Sequence, residues 1–210
     1  QNYTKPCFAL KCDIRKFFDT VDHEILLNLL GKKVKDPQLL SLLKQIIQGF
    51  EVVPGKGMPI GNLTSQLFAN MYMDPLDKFV KHKLKAKYYL RYADDFLILA
   101  NSENELMGYF MEMWRFLKED LRLALHPNKI TLRKLAWGID FVGYVVLPHY
   151  SIPRLKTVNR MLKNIERIDD DHVLSSVIAS YLGYLSHASA KRVGYQLRIR
   201  ALDHFLNVLK

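Results

Sequence analysis

Two short strand-like runs with three residues between them constrain the fold of this chain more than any other feature. Residues 88–92 (YYLRY) and 96–100 (FLILA) are rich in aromatic and branched apolar residues, which favours β-strands. Only Ala93, Asp94 and Asp95 separate the two runs. We therefore predict a tight antiparallel hairpin with two adjacent carboxylates at its tip.

A third acid ends another predicted strand. Residues 7–14 (CFALKCDI) are mostly apolar, and Asp13 lies near the end of this run. Carboxylates in apolar surroundings are costly unless they are paired or bind cations. If Asp13 converges with Asp94 and Asp95, two magnesium ions about 4 Å apart become the expected occupants, able to activate a hydroxyl group and neutralise a leaving phosphate. The alternative is that each acid only caps a turn.

Most of the remaining segments follow helix or loop patterns. Asp22 and Gly31 have residue types that begin and end a helix, and Pro37 and Gly49 bound a second one. Residues 54–61 (PGKGMPIG) predict a loop. Apolar spacing predicts further helices from about residue 67 past Pro75, at 103–123, and at 173–187, and strands at 130–135 and 139–147.

The composition changes near residue 150. From residue 151 only helical patterns are evident, and this segment has ten lysines and arginines against five aspartates and glutamates. We predict two domains, residues 1–150 and a small helical domain at 151–210.

The net charge of +10 indicates a polyanionic partner, because basic side chains that neutralise phosphates release counterions. Charge alone does not separate RNA from DNA, or either from an acidic membrane surface. No apolar run reaches the roughly 18 residues of a membrane span, and no secretory pattern follows residues 1–5, so we expect a soluble, cytoplasmic protein without a membrane partner. Cys7 and Cys12 are predicted to face opposite sides of one strand as reduced core residues.

Four motifs occur in the order found in reverse transcriptases. Residues 92–95 (YADD) resemble the Tyr-x-Asp-Asp box, and residues 13–19 (DIRKFFD) resemble the first metal-binding motif. Residues 58–66 resemble the loop and helix start between these motifs, and residues 141–144 (FVGY) resemble the primer-grip hairpin. The four motifs are spread across most of the segment from residue 7 to residue 147.

This resemblance implies an α+β fold, a right-hand polymerase palm with an antiparallel sheet backed by helices, followed by a helical thumb. It implies an RNA-directed DNA polymerase that extends a DNA or RNA primer with dNTPs on an RNA template. Asp13 and Asp94 are the expected ligands of two Mg²⁺ ions, with Mn²⁺ as the alternative. Asp95 assists, and the backbone carbonyl of Ile14 completes one coordination shell.

Several side chains have a functional and a structural interpretation. Phe18 matches the aromatic residue that excludes a 2′ hydroxyl beneath the incoming sugar, and otherwise packs in the core. Lys129 matches a lysine that protonates the leaving pyrophosphate, and otherwise is an exposed turn lysine. Gly143 and Tyr144 are expected to place the primer end, with Tyr92 also contacting primer or template.

Residues 60–66 (IGNLTSQ) depart from the Gln-Gly-x-x-x-Ser-Pro pattern of most of the family. The variant resembles the reverse transcriptases of diversity-generating retroelements, which copy template RNA with frequent errors at adenines. Ile60, Gly61 and Gln66 are then substrate-binding residues, and the apolar Ile60 offers no hydrogen bond that penalises a misplaced base. Alternatively Ile60 packs beneath the loop, and group II intron, retron and defence-associated enzymes remain the competing subtypes.

Basic residues on the first helix of the tail are expected to follow a phosphate backbone, with a solvated helix face as the alternative. They are Arg154, Lys156, Arg160 and Lys163. Arg91, beside the hairpin tip, is expected to steer nucleic acid or to form a cross-strand charge pair. By resemblance, a small basic helical accessory protein is a further partner.

The family's fingers region normally precedes the first metal motif, whereas this chain begins twelve residues ahead of Asp13. We therefore expect either a truncated chain or a fingers region supplied elsewhere, and weak or no polymerisation by the chain alone. A nucleic-acid-binding module without catalysis is the alternative from another class. A nucleotide cyclase palm fits the primer-grip motif and basic tail poorly.

Overall fold

The computed structural model describes residues 6–168 and 170–208, leaving aside the side chains of residue 171 and residues 204–208. The chain divides between residues 134 and 135 into two compact units. Each unit has its own apolar core and is described separately.

The first unit contains a four-stranded antiparallel sheet and five helices. Its elements in chain order are β1 (Phe8–Asp13), α1 (Phe17–Thr20), α2 (His23–Lys33), α3 (Pro37–Gln48), α4 (Leu63–Lys78), β2 (Tyr88–Tyr92), β3 (Asp95–Ala100), α5 (Glu103–Glu119) and β4 (Thr131–Lys134). A π-helical turn, Phe79–Lys83, follows α4, and a 3-10 turn, Pro127–Lys129, precedes β4. The order of strands in the sheet is β2-β3-β1-β4.

One face of this sheet packs against helices because side chains alternate between faces along each strand. Leu10 and Cys12 of β1, with Phe96 and Ile98 of β3, join the main core. Helical residues complete this core, among them Phe17, Phe68, Tyr72, Met73, Leu106 and Met113. Burial raises the pKa of the Cys12 thiol to about 12, and both cysteines are free, as predicted.

Short polar side chains begin the helices where the sequence predicts. Asp22 accepts a hydrogen bond from the Ile25 amide at the start of α2, and Asp36 accepts from the amides of Gln38 and Leu39 at the start of α3. The prediction that α2 ends at Gly31 is wrong, because the helix continues to Lys33. A glycine inside a helix costs about 1 kcal/mol but does not forbid its continuation.

The second unit combines a small sheet with three helices. It contains β5 (Ile139–Phe141), β6 (Tyr144–Val146), β7 (Ser151–Pro153), α6 (Leu155–Ile165), α7 (Asp171–Ser186) and α8 (Lys191–Val208). The sheet has the order β5-β6-β7 with antiparallel neighbours. The helices share a core of apolar residues that includes Met161, Ile165, Leu185 and Leu197.

The expectation of helix alone from residue 151 is wrong, because β7 pairs with β6 before the helices begin. Three residues are too short a run to show strand periodicity in the sequence. The division between residues 134 and 135 also differs from the domain boundary predicted at residue 150, which falls between two strands of this sheet. Within the described residues, no helix is long and apolar enough to cross a membrane.

Candidate active site

Strand pairing brings Asp13 and Asp95 directly opposite each other on β1 and β3. The amide of His126 donates to the Asp13 carbonyl at 2.8 Å, so the Asp13 peptide group faces away from β3. Asp13 and Asp95 are therefore a pair without mutual backbone hydrogen bonds, the kind in which antiparallel strands lie closest, at about 4.5 Å between Cα atoms. By the same alternation, the carbonyl of Ile14 faces the side of β3.

Asp94 lies in the turn that joins β2 to β3. Tyr92 pairs with Asp95, so only Ala93 and Asp94 form the connection, one residue fewer than predicted. Ala93 has a φ of 52°, in the left-handed region that costs a residue with a side chain about 1–2 kcal/mol. The hairpin therefore holds Asp94 next to the Asp13–Asp95 pair at the expense of local backbone strain.

Two lysines neutralise the paired carboxylates. Lys129 Nζ donates to both carboxylate oxygens of Asp13, at 2.9 and 3.0 Å. Lys11 Nζ lies 3.1 Å from Asp95 Oδ2. The other oxygen, Asp95 Oδ1, is buried and has no hydrogen-bond partner within the described part of the chain.

The third carboxylate shows the electrostatic effect of the cluster. The pKa of Asp94 is raised above its usual value, first by burial and then by the negative charges of Asp13 and Asp95, while Lys129 opposes the shift. Asp94 therefore interacts electrostatically with both of the other acids. A bound cation would favour the ionised form of Asp94 by neutralising its neighbours.

The donor chemistry of this cluster suits magnesium, which prefers carboxylate and carbonyl oxygens. Among the described residues Asp95 Oδ1 has no hydrogen-bond partner, and the Ile14 carbonyl faces the side of β3. In the arrangement seen among residues 6–168 and 170–208, no three acidic, histidine or cysteine side chains have the spacing to hold one ion. Lys129 occupies both carboxylate oxygens of Asp13 in this arrangement.

The residues predicted to bind the nucleotide lie on α1, in the turn before α4, on α4 and, for Lys129, in the 3-10 turn before β4. Phe18 is half-buried with its ring edge-on to Phe17, and its carbonyl accepts a 2.7 Å hydrogen bond from the Met58 amide. Ile60 is 79% exposed, so the alternative in which it packs beneath the loop is wrong. Gly61 has a φ of 88°, and Gln66 is exposed on α4.

The predicted primer-grip residues form a tight turn between β5 and β6. Val142 and Gly143 both have positive φ, 47° and 91°. Tyr184 on α7 donates to the Gly143 carbonyl at 2.6 Å, and its ring stacks on Tyr144. Tyr144 in turn donates to the Tyr184 carbonyl at 2.8 Å. Tyr184 therefore braces the turn, a contact with no signal in the sequence.

An open groove of about 910 Å³ in the second unit runs beside this turn. All four predicted phosphate-binding residues line it, with Gly143 and Tyr184. Arg167 also lines the groove, from the turn that follows α6. In the sequence it continues the spacing of Lys156, Arg160 and Lys163, so this pattern could have revealed it. Arg154 is partly engaged, because it forms an ion pair with Asp140.

Arg91 does not form the cross-strand charge pair that was one of its two predicted roles. Its side chain is 9% exposed and pairs with Asp77 on α4 rather than with a neighbouring strand. Tyr92, by contrast, is 64% exposed on the strand beside the acids, where a nucleic-acid contact is sterically open.

Curated proteins and solved structures resemble this chain. Group II intron-encoded protein LtrA of Lactococcus lactis subsp. cremoris is 34% identical over 200 residues, covering 63% of the chain and 33% of LtrA. Retron Ec73 reverse transcriptase of Escherichia coli is 24% identical over 208 residues, covering 86% of the chain and 62% of the relative. The chain thus spans less than two thirds of the length of the curated relatives it matches.

A structure of telomerase from Candida albicans in complex with a telomeric RNA fragment has a TM-score of 0.64 at 12% identity. The match covers 99% of this chain and 41% of that chain. At this identity the likeness shows the fold, which is the mixed α+β polymerase architecture that the sequence predicts. The sequence profile described as reverse transcriptase (RNA-dependent DNA polymerase) matches residues 1–146, and the chain therefore belongs to the reverse transcriptase family.

Proposed function

We propose that this chain carries the palm active site and the thumb of an RNA-directed DNA polymerase. The observation that carries the proposal is the register of the sheet, which places Asp13 opposite Asp95 with Asp94 in the adjoining two-residue turn. These are the acids of the two family motifs, far apart in the chain. Their electrostatic interaction supports one catalytic cluster rather than three separate turn caps.

Within this cluster each acid has a distinct role. Asp13 and Asp94 would hold two Mg²⁺ ions, or Mn²⁺, with Asp95 and the Ile14 carbonyl supporting them. When bound, the ions lower the pKa of the primer 3′ hydroxyl and neutralise the charge of the leaving pyrophosphate. Lys129, once displaced from Asp13, remains next to the acids with the proton that a leaving pyrophosphate requires.

The nucleic-acid partners follow from the exposed basic and aromatic groups. The groove beside Gly143 presents cations on one face of α6, which suits a phosphate backbone. Template RNA and a DNA or RNA primer are the proposed occupants, with the Val142–Gly143 turn and Tyr144 placing the primer end and Tyr92 contacting the duplex. A small basic helical accessory protein remains a proposed partner on resemblance alone.

Deoxynucleotide selection is assigned to Phe18. The ring is fixed edge-on against Phe17, and the Phe18 backbone is tied to Met58. A fixed aromatic side chain at this position excludes a 2′ hydroxyl by bulk, because it cannot move aside without breaking these contacts.

We further propose that the enzyme belongs to a diversity-generating retroelement. The support is the IGNLTSQ motif together with the exposure of Ile60, which leaves an apolar side chain free to contact a base pair. The relatives from group II introns and retrons represent the competing subtypes. Replacing Ile60 with Gln is expected to lower misincorporation at template adenines several-fold, measured by sequencing cDNA. An unchanged error spectrum would remove Ile60 from fidelity control.

Primer extension on an RNA template with Mg²⁺ and dNTPs tests the polymerase proposal. The intact protein is expected to extend the primer, and Asp94→Ala is expected to reduce extension by on the order of a thousandfold. This exceeds the 10–100-fold typical for the partners of metal ligands. Asp36→Ala, which removes an exposed acid that caps α3, serves as the control.

The two outcomes separate the main alternatives. Extension that survives Asp94→Ala would contradict the proposed active site. Tight binding of a primer–template duplex without extension by the intact protein would favour the nucleic-acid-binding module instead.

A further inference from the structure

Arg91 is a buried cation close to the acids but outside the set that the family motifs assign. It lies on β2, three residues before Asp94, and its side chain is only 9% exposed. A buried guanidinium is strongly unfavourable unless its donors are satisfied. Its partners therefore indicate why the position needs an arginine.

The guanidinium group binds Asp77 on α4 in a bidentate manner. Nε donates to Asp77 Oδ1 at 2.8 Å and Nη2 donates to Oδ2 at 2.6 Å. The hydroxyl of Tyr89 also donates to Asp77 Oδ1, at 2.7 Å. Asp77 thus receives three hydrogen bonds from two residues of β2, which fixes its carboxylate and, through it, the plane of the guanidinium.

The remaining nitrogen of Arg91 reaches the catalytic turn. Nη1 donates to the Ala93 carbonyl at 2.8 Å and to Asn70 Oδ1 of α4 at 3.4 Å. The Ala93 carbonyl belongs to the peptide group that joins Ala93 to Asp94. Arg91 therefore ties the peptide bond preceding Asp94 to helix α4.

The hydrogen bond from Arg91 to the Ala93 carbonyl links a strained turn to a helix that is held firmly in the core. Ala93 has a φ of 52°, which an L residue adopts only when its surroundings enforce it. Helix α4 is held in the main core by Phe68, Tyr72 and Leu76, each at most 2% exposed. The guanidinium group of Arg91 thus holds the turn at a fixed position relative to helix α4.

We propose that Arg91 is a positioning residue that sets the geometry of Asp94 for metal binding through the Ala93 carbonyl. The inference rests on the proposed function of Asp94 as a metal ligand. It assigns to Arg91 no contact with metal or nucleotide.

Arginine is required here for its shape as well as its charge. The planar guanidinium satisfies Asp77 with two parallel hydrogen bonds while a third donor reaches Ala93. A lysine retains the charge but has a single nitrogen, which cannot hold both partners in this geometry. Arg91→Lys therefore separates the positioning role from simple charge compensation.

The test measures Mn²⁺ binding by the intact protein without nucleotide, using electron paramagnetic resonance of free Mn²⁺, together with the melting temperature. Arg91→Lys is expected to weaken Mn²⁺ binding about tenfold or more and to raise the Mg²⁺ concentration for half-maximal primer extension by a similar factor. Arg115→Lys is the matched control, because Arg115 pairs with Glu112 on the exposed surface of α5. It is expected to change neither quantity.

A second variant covers the case in which Arg91→Lys does not fold. Asp77→Asn keeps the size of the side chain but removes the charge that orients Arg91, and it is expected to weaken Mn²⁺ binding in the same direction. A lower melting temperature with unchanged Mn²⁺ affinity in either variant would show that Arg91 is only structural and would overturn the inference.

The failure of the inference is distinguishable from failure of the proposed function. If Asp94→Ala abolishes extension and Mn²⁺ binding while Arg91→Lys leaves both unchanged, only the positioning role is lost. If Asp94→Ala itself leaves Mn²⁺ binding unchanged, the assignment of Asp94 as a ligand fails, and the inference fails with it.

Discussion

At the scale of single residues, like charges in the candidate active site oppose stability. Asp94 is partly buried beside Asp13 and Asp95, and its raised pKa means that folding favours its protonated form. Lysines relieve the other two acids but give Asp94 no direct salt bridge in the described structure. The same residues that would bind cations therefore destabilise the metal-free protein, a common property of functional sites.

The repulsion between Asp94 and its neighbouring acids can be tested by measuring how stability depends on pH. Since the folded pKa of Asp94 lies above its unfolded value, this group makes stability fall as pH rises from the ordinary carboxyl pKa through the raised one. Above the raised pKa, the stability that protonated Asp94 contributes is fully lost. In the presence of a chelator, Asp94→Asn is therefore expected to melt on the order of a few degrees higher than the parent at pH 7, with the difference shrinking towards pH 4.

The control for this experiment is an acid with the opposite shift. Burial acts to raise the pKa of Asp22, but its hydrogen bonds with Arg122 and Ile25 lower it overall. Asp22→Asn should accordingly destabilise at pH 7. If Asp94→Asn melts lower than the parent across the whole range, the proposed repulsion is absent.

The role of a residue could be predicted from the sequence when the residue belongs to a recognisable motif. It could not be predicted when the role depends on a contact with a residue far along the chain. The acids at positions 13, 94 and 95 follow from strand patterns and family motifs. The Arg91–Asp77 and Tyr144–Tyr184 contacts join residues 14 and 40 positions apart, and nothing in local periodicity encodes such pairs. Ile60 shows the same limit, since an apolar residue in a loop can equally be buried or exposed.

At the scale of elements, helix α6 has an apolar face and a basic face. Val158, Met161 and Ile165 are buried in or beside the second core, whereas Lys156, Arg160 and Lys163 are exposed. The helical repeat places each set on its own side of the helix. This arrangement favours the phosphate-binding interpretation over an unspecialised solvated face, because the basic side lines a groove.

Salt dependence distinguishes these interpretations. Changing Lys156, Arg160 and Lys163 together to Gln is expected to reduce the slope of log affinity against log salt by about 2 to 3, since each lost phosphate contact contributes about 0.7–0.9. Fluorescence anisotropy with a primer–template duplex gives the slope. Three exposed lysines of the first unit provide a charge-matched control, namely Lys32, Lys35 and Lys44.

The control variant is expected to retain a slope close to that of the parent. Equal slopes for the parent and the α6 variant would mean that this face of α6 does not contact phosphates.

At the scale of the whole molecule, the order of secondary-structure elements was largely predictable and their assembly was not. The hairpin, the strand ending at Asp13 and the first four long helices follow from patterning and capping residues. The neighbour order β2-β3-β1-β4 depends on tertiary pairing, and the three-residue β7 depends on its hydrogen bonds with β6. Helix α8 lies within the tail that the sequence predicts to be helical, but its bounds were not predicted.

The candidate functional residues are divided between the two compact units. The first unit contains the three acids with both lysines, and the second contains the Val142–Gly143 turn and the basic groove.

The most direct test of the central claim is cleavage of the polypeptide by hydroxyl radicals from Fe²⁺ bound in place of Mg²⁺. Such radicals react within a short distance of the ion, so the cut sites identify the residues around it. We expect the polypeptide to be cleaved near residue 13 and near residues 93–95. Both cleavages should be suppressed by excess Mg²⁺ and lost in Asp13→Asn. Cuts confined to one of these segments, or unaffected by Mg²⁺, would contradict a shared metal site.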